Sequence, residues 1–161
     1  MAFTYAGNSD FDAVRERAEK LYDSIGLVSC PYLNNKKIAF NARGIRHLKF
    51  KSDQKARSRA DQYARLKLLH LAPQILRLSR TVQGIWQTQQ FETEKNHSRW
   101  EHILRHLTFY EFMAVLGGVR VKVIVKQIGS GEPFFWSIIP FWSLQQGTYK
   151  RLLHSGNPEQ D

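Results

Sequence analysis

The feature that most constrains this chain is a short alternation. After Gly117 and Gly118, residues 119–126 read Val-Arg-Val-Lys-Val-Ile-Val-Lys. A period of two puts the valines on one face and Arg120, Lys122, Ile124 and Lys126 on the other, which describes a strand with one face on a core. Two glycines before it signal a two-residue hairpin loop, so Leu116 should pair with Val119 and the aromatic, apolar run 107–116 should be the neighbouring strand. That register sets Glu111 opposite Ile124, with Lys122 and Lys126 as its diagonal neighbours. Residues 81–91 read as a further strand. Past the turn Gly129-Ser130-Gly131-Glu132-Pro133, residues 134–139 read as the last one.

Upstream the period is helical. Ser9-Asp10 followed by Phe11, Val14, Ala18, Leu21 and Tyr22 fits a capped amphipathic helix ending near Gly26. Residues 37–41 alternate as a short strand, and Asn41 can cap a helix carrying Arg43, Arg46 and His47. Ala60, Ala64, Leu68 and Leu71 mark a helix over 57–71, and Pro73 suits the first turn of a short one over 74–78. The expected architecture is therefore α+β in a single domain. Helices over about 9–79 pack on a roughly four-stranded antiparallel meander over about 80–142, and a polar tail, 144–161, is expected to fray, with Tyr149, Leu152 and Leu153 able to dock.

Charge points to a partner. Residues 36–67 hold eleven basic side chains (Lys36, Lys37, Arg43, Arg46, Lys49, Lys51, Lys55, Arg57, Arg59, Arg65, Lys67) against Asp53 and Asp61, an excess of nine out of the chain's +10. Ordinary solvated faces intersperse both signs, so this segment fits a polyanion such as nucleic acid. With one cysteine, Cys30, the chain can form no internal disulfide. It begins without a basic, apolar leader and contains no apolar run of about 18 residues. A cytoplasmic protein without membrane attachment is expected. Cys30, followed by Pro31, reads as a buried small apolar residue rather than a nucleophile.

Several residues are candidates for chemistry. His47 lies among Arg43, Arg46 and Lys49, where it could donate a proton to a leaving 5′-oxygen; a core histidine has the same spacing. Glu111 between Lys122 and Lys126 could take a proton beside a bound phosphate, although a cross-strand ion pair is the favoured reading. Ser137 is a lone hydroxyl in an apolar strand and could orient a phosphate or satisfy a backbone group. His102 and His106 are four apart, but on a strand that separation is about 13 Å, so no metal site is expected. No Gly-x-x-x-x-Gly-Lys or Gly-x-Gly-x-x-Gly loop is present, and no cofactor is implied.

The order of features has a resemblance. A Cys30-Pro31-Tyr32 approach leads to Phe40-Asn41-Ala42-Arg43-Gly44-Ile45-Arg46-His47-Leu48, then a basic helix. The strand Val121-Lys122-Val123-Ile124-Val125-Lys126-Gln127-Ile128-Gly129 precedes Phe134-Phe135-Trp136-Ser137-Ile138. Over roughly residues 30–140 this resembles the phage-associated branch of the barnase, EndoU, colicin and RelE-like nuclease superfamily. The resemblance implies helices ahead of a four-stranded antiparallel sheet and a metal-independent RNase, often a toxin or conflict effector. Its usual active residues are a helical histidine, basic residues and a hydroxyl from the last strand. By position these correspond to His47, Arg57, Arg65, Lys126 and Ser137.

The expected activity is therefore RNA cleavage by attack of a 2′-hydroxyl on its own phosphate, with RNA preferred to DNA. Arg43, Arg46, Lys49, Lys51, Lys55, Arg59 and Lys122 are expected to contact nucleic acid, and an antitoxin or immunity protein is the partner implied. The alternatives are a non-catalytic RNA- or DNA-binding module and a structural or inhibitory component of a nucleoprotein complex.

Overall fold

The computed structural model describes residues 8–116, 118–140 and 156–161. Helix α1 (Asn8–Ile25) buries Phe11, Val14, Ala18 and Tyr22 along one stripe and ends where Gly26 turns left-handed at φ 66°. Strands β1 (Leu27–Cys30) and β2 (Lys36–Ala39) form an antiparallel pair, joined through a 3-10 turn at Pro31–Leu33 and the left-handed Asn34 and Asn35. Helix α2 (Ala42–Lys49) follows, then a small hairpin of β3 (Phe50–Ser52) and β4 (Lys55–Ala56), and helices α3 (Arg59–Leu68) and α4 (Ala72–Leu78). Strands β5 (Gly84–Asn96), β6 (Arg99–Leu116), β7 (Val119–Ile128) and β8 (Phe134–Pro140) complete the described fold.

The class is α+β, but the sheet departs from the four-stranded antiparallel meander expected. It has six strands in the order β1-β2-β8-β7-β6-β5 and is mixed, because β2 runs parallel to β8. β1 was hidden from pattern reading: four residues, Leu27-Val28-Ser29-Cys30, are too few to show alternation. Pairing between β2 and β8 is confined to Ala39 and Phe134, and α2 and α3 flank β8. These two helices therefore meet the sheet at a strand's side as well as its face.

β7 behaves as its alternation requires. Leu116 pairs with Val119 and Glu111 with Ile124. Val121, Val123 and Val125 are fully buried in the helix-covered core with Phe112, Phe135 and Ile138. Burial of each such side chain is worth about 1.5–3 kcal/mol, so a one-residue slip of β7 would be prohibitive. The opposite face holds a smaller apolar cluster of Leu107, Phe109 and Ile124, with Lys122, Lys126 and Ser137 also buried.

β5 and β6 are longer than their apolar patterns suggest. Strand pairing continues from Gly84–Glu111 to Asn96–Arg99, through residues 92–106 that lie between the two expected strands. That stretch is largely exposed, so neither face needed to be apolar, and backbone hydrogen bonds carry the pairing. Its tip turns through His97 and Ser98 at positive φ (45° and 73°), the backbone of a two-residue hairpin loop. His102 and His106 both lie on strand β6 and approach Thr93 and Gln89 respectively.

The tail also differs from expectation. Residues 156–161 are packed rather than frayed, with Asp161 only 2% exposed; the docking expected at 149–153 lies outside the described residues. No helix among the described residues is long and apolar enough to cross a membrane.

Candidate phosphate site

The site starts from a glycine. Asn41 caps α2 by accepting from the Arg43 and Gly44 amides (3.0 and 3.4 Å), and Tyr22 donates to the Asn41 carbonyl at 2.7 Å. A Cβ on Gly44 would fall 2.4 Å from Tyr22 Oη and 2.5 Å from the Phe135 carbonyl oxygen. Only the absence of that carbon lets α2 lie directly on β8. One turn further along, His47 lands on the Trp136 ring, stacked at 4.0 Å between centroids and 19° between planes.

β8 presents its residues through a bulge. Ile124 pairs with Ser137 but Val125 pairs with Phe135, leaving Trp136 as the extra residue. Phe135 thus stays in the helix-covered core while the consecutive Trp136 and Ser137 both serve the other face. Lys126, on that face, sits 4.1 Å over the Trp136 ring and 5.4 Å over Phe109.

The guanidinium groups come from Arg57, which precedes the helix rather than lying in it as the expected span 57–71 had it, and from Arg65 on helix α3. Ser58 caps it by accepting from the Asp61 amide at 3.2 Å. Arg57, Asp61 and Arg65 recur at intervals of four, so one carboxylate lies between two cations: Asp61 meets Arg57 Nη1 at 3.3 Å and Arg65 Nε through its other oxygen. Arg65 donates to Ser137 Oγ at 2.7 Å. Arg57 donates through Nε to the His47 carbonyl at 2.8 Å, and its Nη2 lies 2.9 Å from His47 Nε2. A guanidinium can only donate, so Nε2 is the acceptor and the ring is neutral.

Electrostatics agree. Burial, then the charges of Arg57, Arg65 and Lys126, push the His47 pKa down to about 2, against a smaller opposing effect of a hydrogen bond to the Asp161 main chain. Burial also lowers the pKa of Arg57, and it lowers that of Arg65 to about 10, which keeps Arg65 charged at neutral pH. Asp61 offsets one of the three cations, which leaves the floor with two positive charges beside a neutral imidazole.

Residues 156–161 lie across this floor. Lys126 contacts both carboxylate oxygens of Glu159 at 3.0 Å, and Trp136 Nε1 donates to the Pro158 carbonyl at 3.0 Å. Arg57 donates to the Gln160 carbonyl at 2.7 Å. The Asp161 main-chain oxygen accepts from Arg65 and from Ser137 Oγ, the latter at 2.5 Å.

The structure thus gathers His47, Arg57, Arg65, Lys126 and Ser137 into one pocket. The other candidates lie elsewhere. Glu111 forms an ion pair with Lys122 at 3.2 Å, and Lys122, expected to contact nucleic acid, is 2% exposed and so does not offer its ammonium to a surface ligand. Lys49 pairs with Glu19 and Arg46 with Asp53 (3.0 Å). Arg43 lies over Phe134 and Arg59 over Phe11, both exposed, while Lys51 and Lys55 project from the β3–β4 hairpin. Cys30 is fully buried in the core, and burial raises its thiol pKa.

Pattern reading assigned no role to Asp61 or the tail, and it offered Trp136 only as one of several aromatics on which a base could stack. The repeat Arg57-x-x-x-Asp61-x-x-x-Arg65 was legible in the sequence, although only Asp61 and Arg65 lie on α3 and Arg57 precedes its cap. The bulge and the path of the tail have no local signature. Comparison with protein-family models, curated proteins and solved structures finds no significant match.

Proposed function

We propose that the chain is a metal-independent endoribonuclease of the toxin or conflict-effector kind, acting on RNA through its 2′-hydroxyl. The observation that carries this reading is the neutral imidazole acceptor of His47 held beside Arg57, Arg65, Lys126 and Ser137. With Asp61 balancing one cation and the Glu159 carboxylate set aside, two positive charges remain, which suits a phosphodiester and its more highly charged transition state. Arg65 is set to hold the non-bridging oxygens, with Ser137 Oγ orienting the group. Lys126 contributes a point charge, and Arg57 fixes the histidine through its carbonyl and ring at once.

In this scheme the phosphate draws Arg57 Nη2 away from His47 Nε2, and the lone pair so freed accepts the 2′-hydroxyl proton as that oxygen attacks phosphorus. The P–O5′ bond breaks, and the leaving oxygen takes its proton from the His47 imidazolium by way of water, which gives a 2′,3′-cyclic phosphate and a free 5′-hydroxyl and returns the ring to its neutral form. A phosphate beside the ring offsets the three cations that depress its pKa, so substrate itself raises the basicity of His47. Labelled RNA should be cut in the presence of EDTA, and a strand with a 2′-deoxy nucleotide at the cleavage position should be spared there. Loss of cutting in EDTA would count against the reading.

The exposed cations Arg43, Lys51, Lys55 and Arg59 support a second reading, a non-catalytic RNA- or DNA-binding module. Charge reversal at Lys51 and Lys55 would then abolish function while His47→Ala leaves it intact; the nuclease reading expects the opposite ranking.

A further inference from the structure

We propose that residues 156–161 are an internal ligand of the pocket, which holds the protein in an occluded state until the segment is displaced. The inference rests on the phosphate-site reading and adds a regulation to it. Each donor that reading assigns to phosphate already has a tail acceptor, Arg65 and Ser137 the Asp161 main-chain oxygen and Lys126 the Glu159 carboxylate, and Arg57 beside them donates to the Gln160 carbonyl. The match is electrostatic as well. Glu159 and Asp161 bring two negative charges to a floor with two uncompensated positive ones.

Occlusion follows from burial. With the segment in place His47 is 4%, Arg65 1% and Ser137 0% exposed, so a polynucleotide cannot reach them. Among the described residues, no buried side-chain nitrogen or oxygen lacks a hydrogen-bond partner, and the tail supplies several of those partners. Such a segment leaves only when another anion satisfies the same donors. Phosphate therefore binds only in competition with the segment.

A different role for the tail would make Glu159 a catalytic base. The geometry argues against it, because both Glu159 oxygens are committed to Lys126 and the neighbouring main-chain oxygens fill the phosphate donors. Glu159 is also the accessible end of the contact, with a third of its side chain exposed. It is the point at which to loosen the segment without touching the floor.

The test uses the 161-residue chain with Glu159→Gln, and Glu132→Gln, an exposed position in the turn before β8, as a control for net charge. Binding of a fluorescent 2′-O-methyl oligoribonucleotide, which cannot be cleaved, is followed by anisotropy, and the Trp136 indole N–H by NMR. Glu159→Gln should tighten binding about tenfold, shift the indole resonance released from Pro158, and raise RNA cleavage. Glu132→Gln should stay within about twofold. Binding by Glu159→Gln no tighter than by Glu132→Gln overturns the inference. So does loss of cleavage in Glu159→Gln with binding retained, which would assign Glu159 to catalysis. Tighter binding and a shifted indole with no cleavage by any variant would leave the internal ligand standing and remove the nuclease reading instead.

Discussion

Asp61→Ala removes the carboxylate that lies between Arg57 and Arg65. All three side chains are nearly solvent-free, at 1% for each arginine and 7% for the aspartate, so neither guanidinium can recover its lost partner from water. Breaking a buried pair from one side costs about 3–5 kcal/mol, because an uncompensated charge stays behind. A domain of this kind has about 5–15 kcal/mol in all. At an m-value of about 2 kcal/mol per M, the urea midpoint should fall by roughly 1.5–2.5 M. Asp53→Ala, which breaks the solvent-exposed pair with Arg46, serves as the control and should leave the midpoint unchanged. A midpoint for Asp61→Ala that matches the control would refute the claim that this carboxylate holds the two guanidinium groups in place.

Further outcomes follow from the same geometry. Gly44→Ala drives a methyl group against the Phe135 carbonyl and Tyr22 Oη, and should lower stability by about 1–3 kcal/mol in thermal unfolding; an unchanged Tm would mean that α2 does not rest on β8 as described. His47 has a folded pKa far below its unfolded value near 6.5, so the unfolded chain binds the extra proton. Its contribution is fully present above about pH 6.5 and is lost as pH falls toward about 2, with a slope of up to about 1.4 kcal/mol per pH unit. His47→Gln should flatten that part of the denaturation profile between pH 4.5 and 6.5, and an unaltered profile would contradict the buried neutral ring. Arg65→Lys keeps the charge but cannot meet Asp61, Ser137 and the tail together; RNA cleavage should drop about 10²-fold or more, and near-normal rates would remove Arg65 from the site.

Legibility in the sequence varied with how local the signal was. The alternation of residues 119–126 and the two glycines before it were enough for the register that pairs Leu116 with Val119 and Glu111 with Ile124. The Asn41 cap and the helix behind it were equally plain, since capping is a contact between near neighbours. The sheet's remaining edge was not: β1 is four residues long, and β2 joins β8 through a single pair far away in sequence. Residues 92–106 form a ribbon with no apolar face to announce it.

The candidate site divides in the same way. His47 and Arg65 could be placed on helices from periodicity, and Lys126 on the face away from the valines. Why Ser137 shares that face depends on the bulge at Trp136, which shifts the alternation after Phe135. Nothing near Gly156 or Glu159 hints that their segment returns to Arg57, some hundred residues earlier. Its acidic side chains read as a solvated tail because the cations that receive them come from three separate elements.

His47 and the three surrounding cations are proposed to form a site that cuts RNA at a 2′-hydroxyl. The most direct measurement is end-group analysis of labelled RNA incubated in EDTA with the wild-type chain, with Glu159→Gln, and with His47→Ala. Fragments ending in 2′,3′-cyclic phosphate are expected from the first two, in greater amount from Glu159→Gln, with a fall of about 10²–10⁴ in rate for His47→Ala. Intact RNA from both of the first two, or cutting by His47→Ala at the wild-type rate, would overturn the nuclease reading.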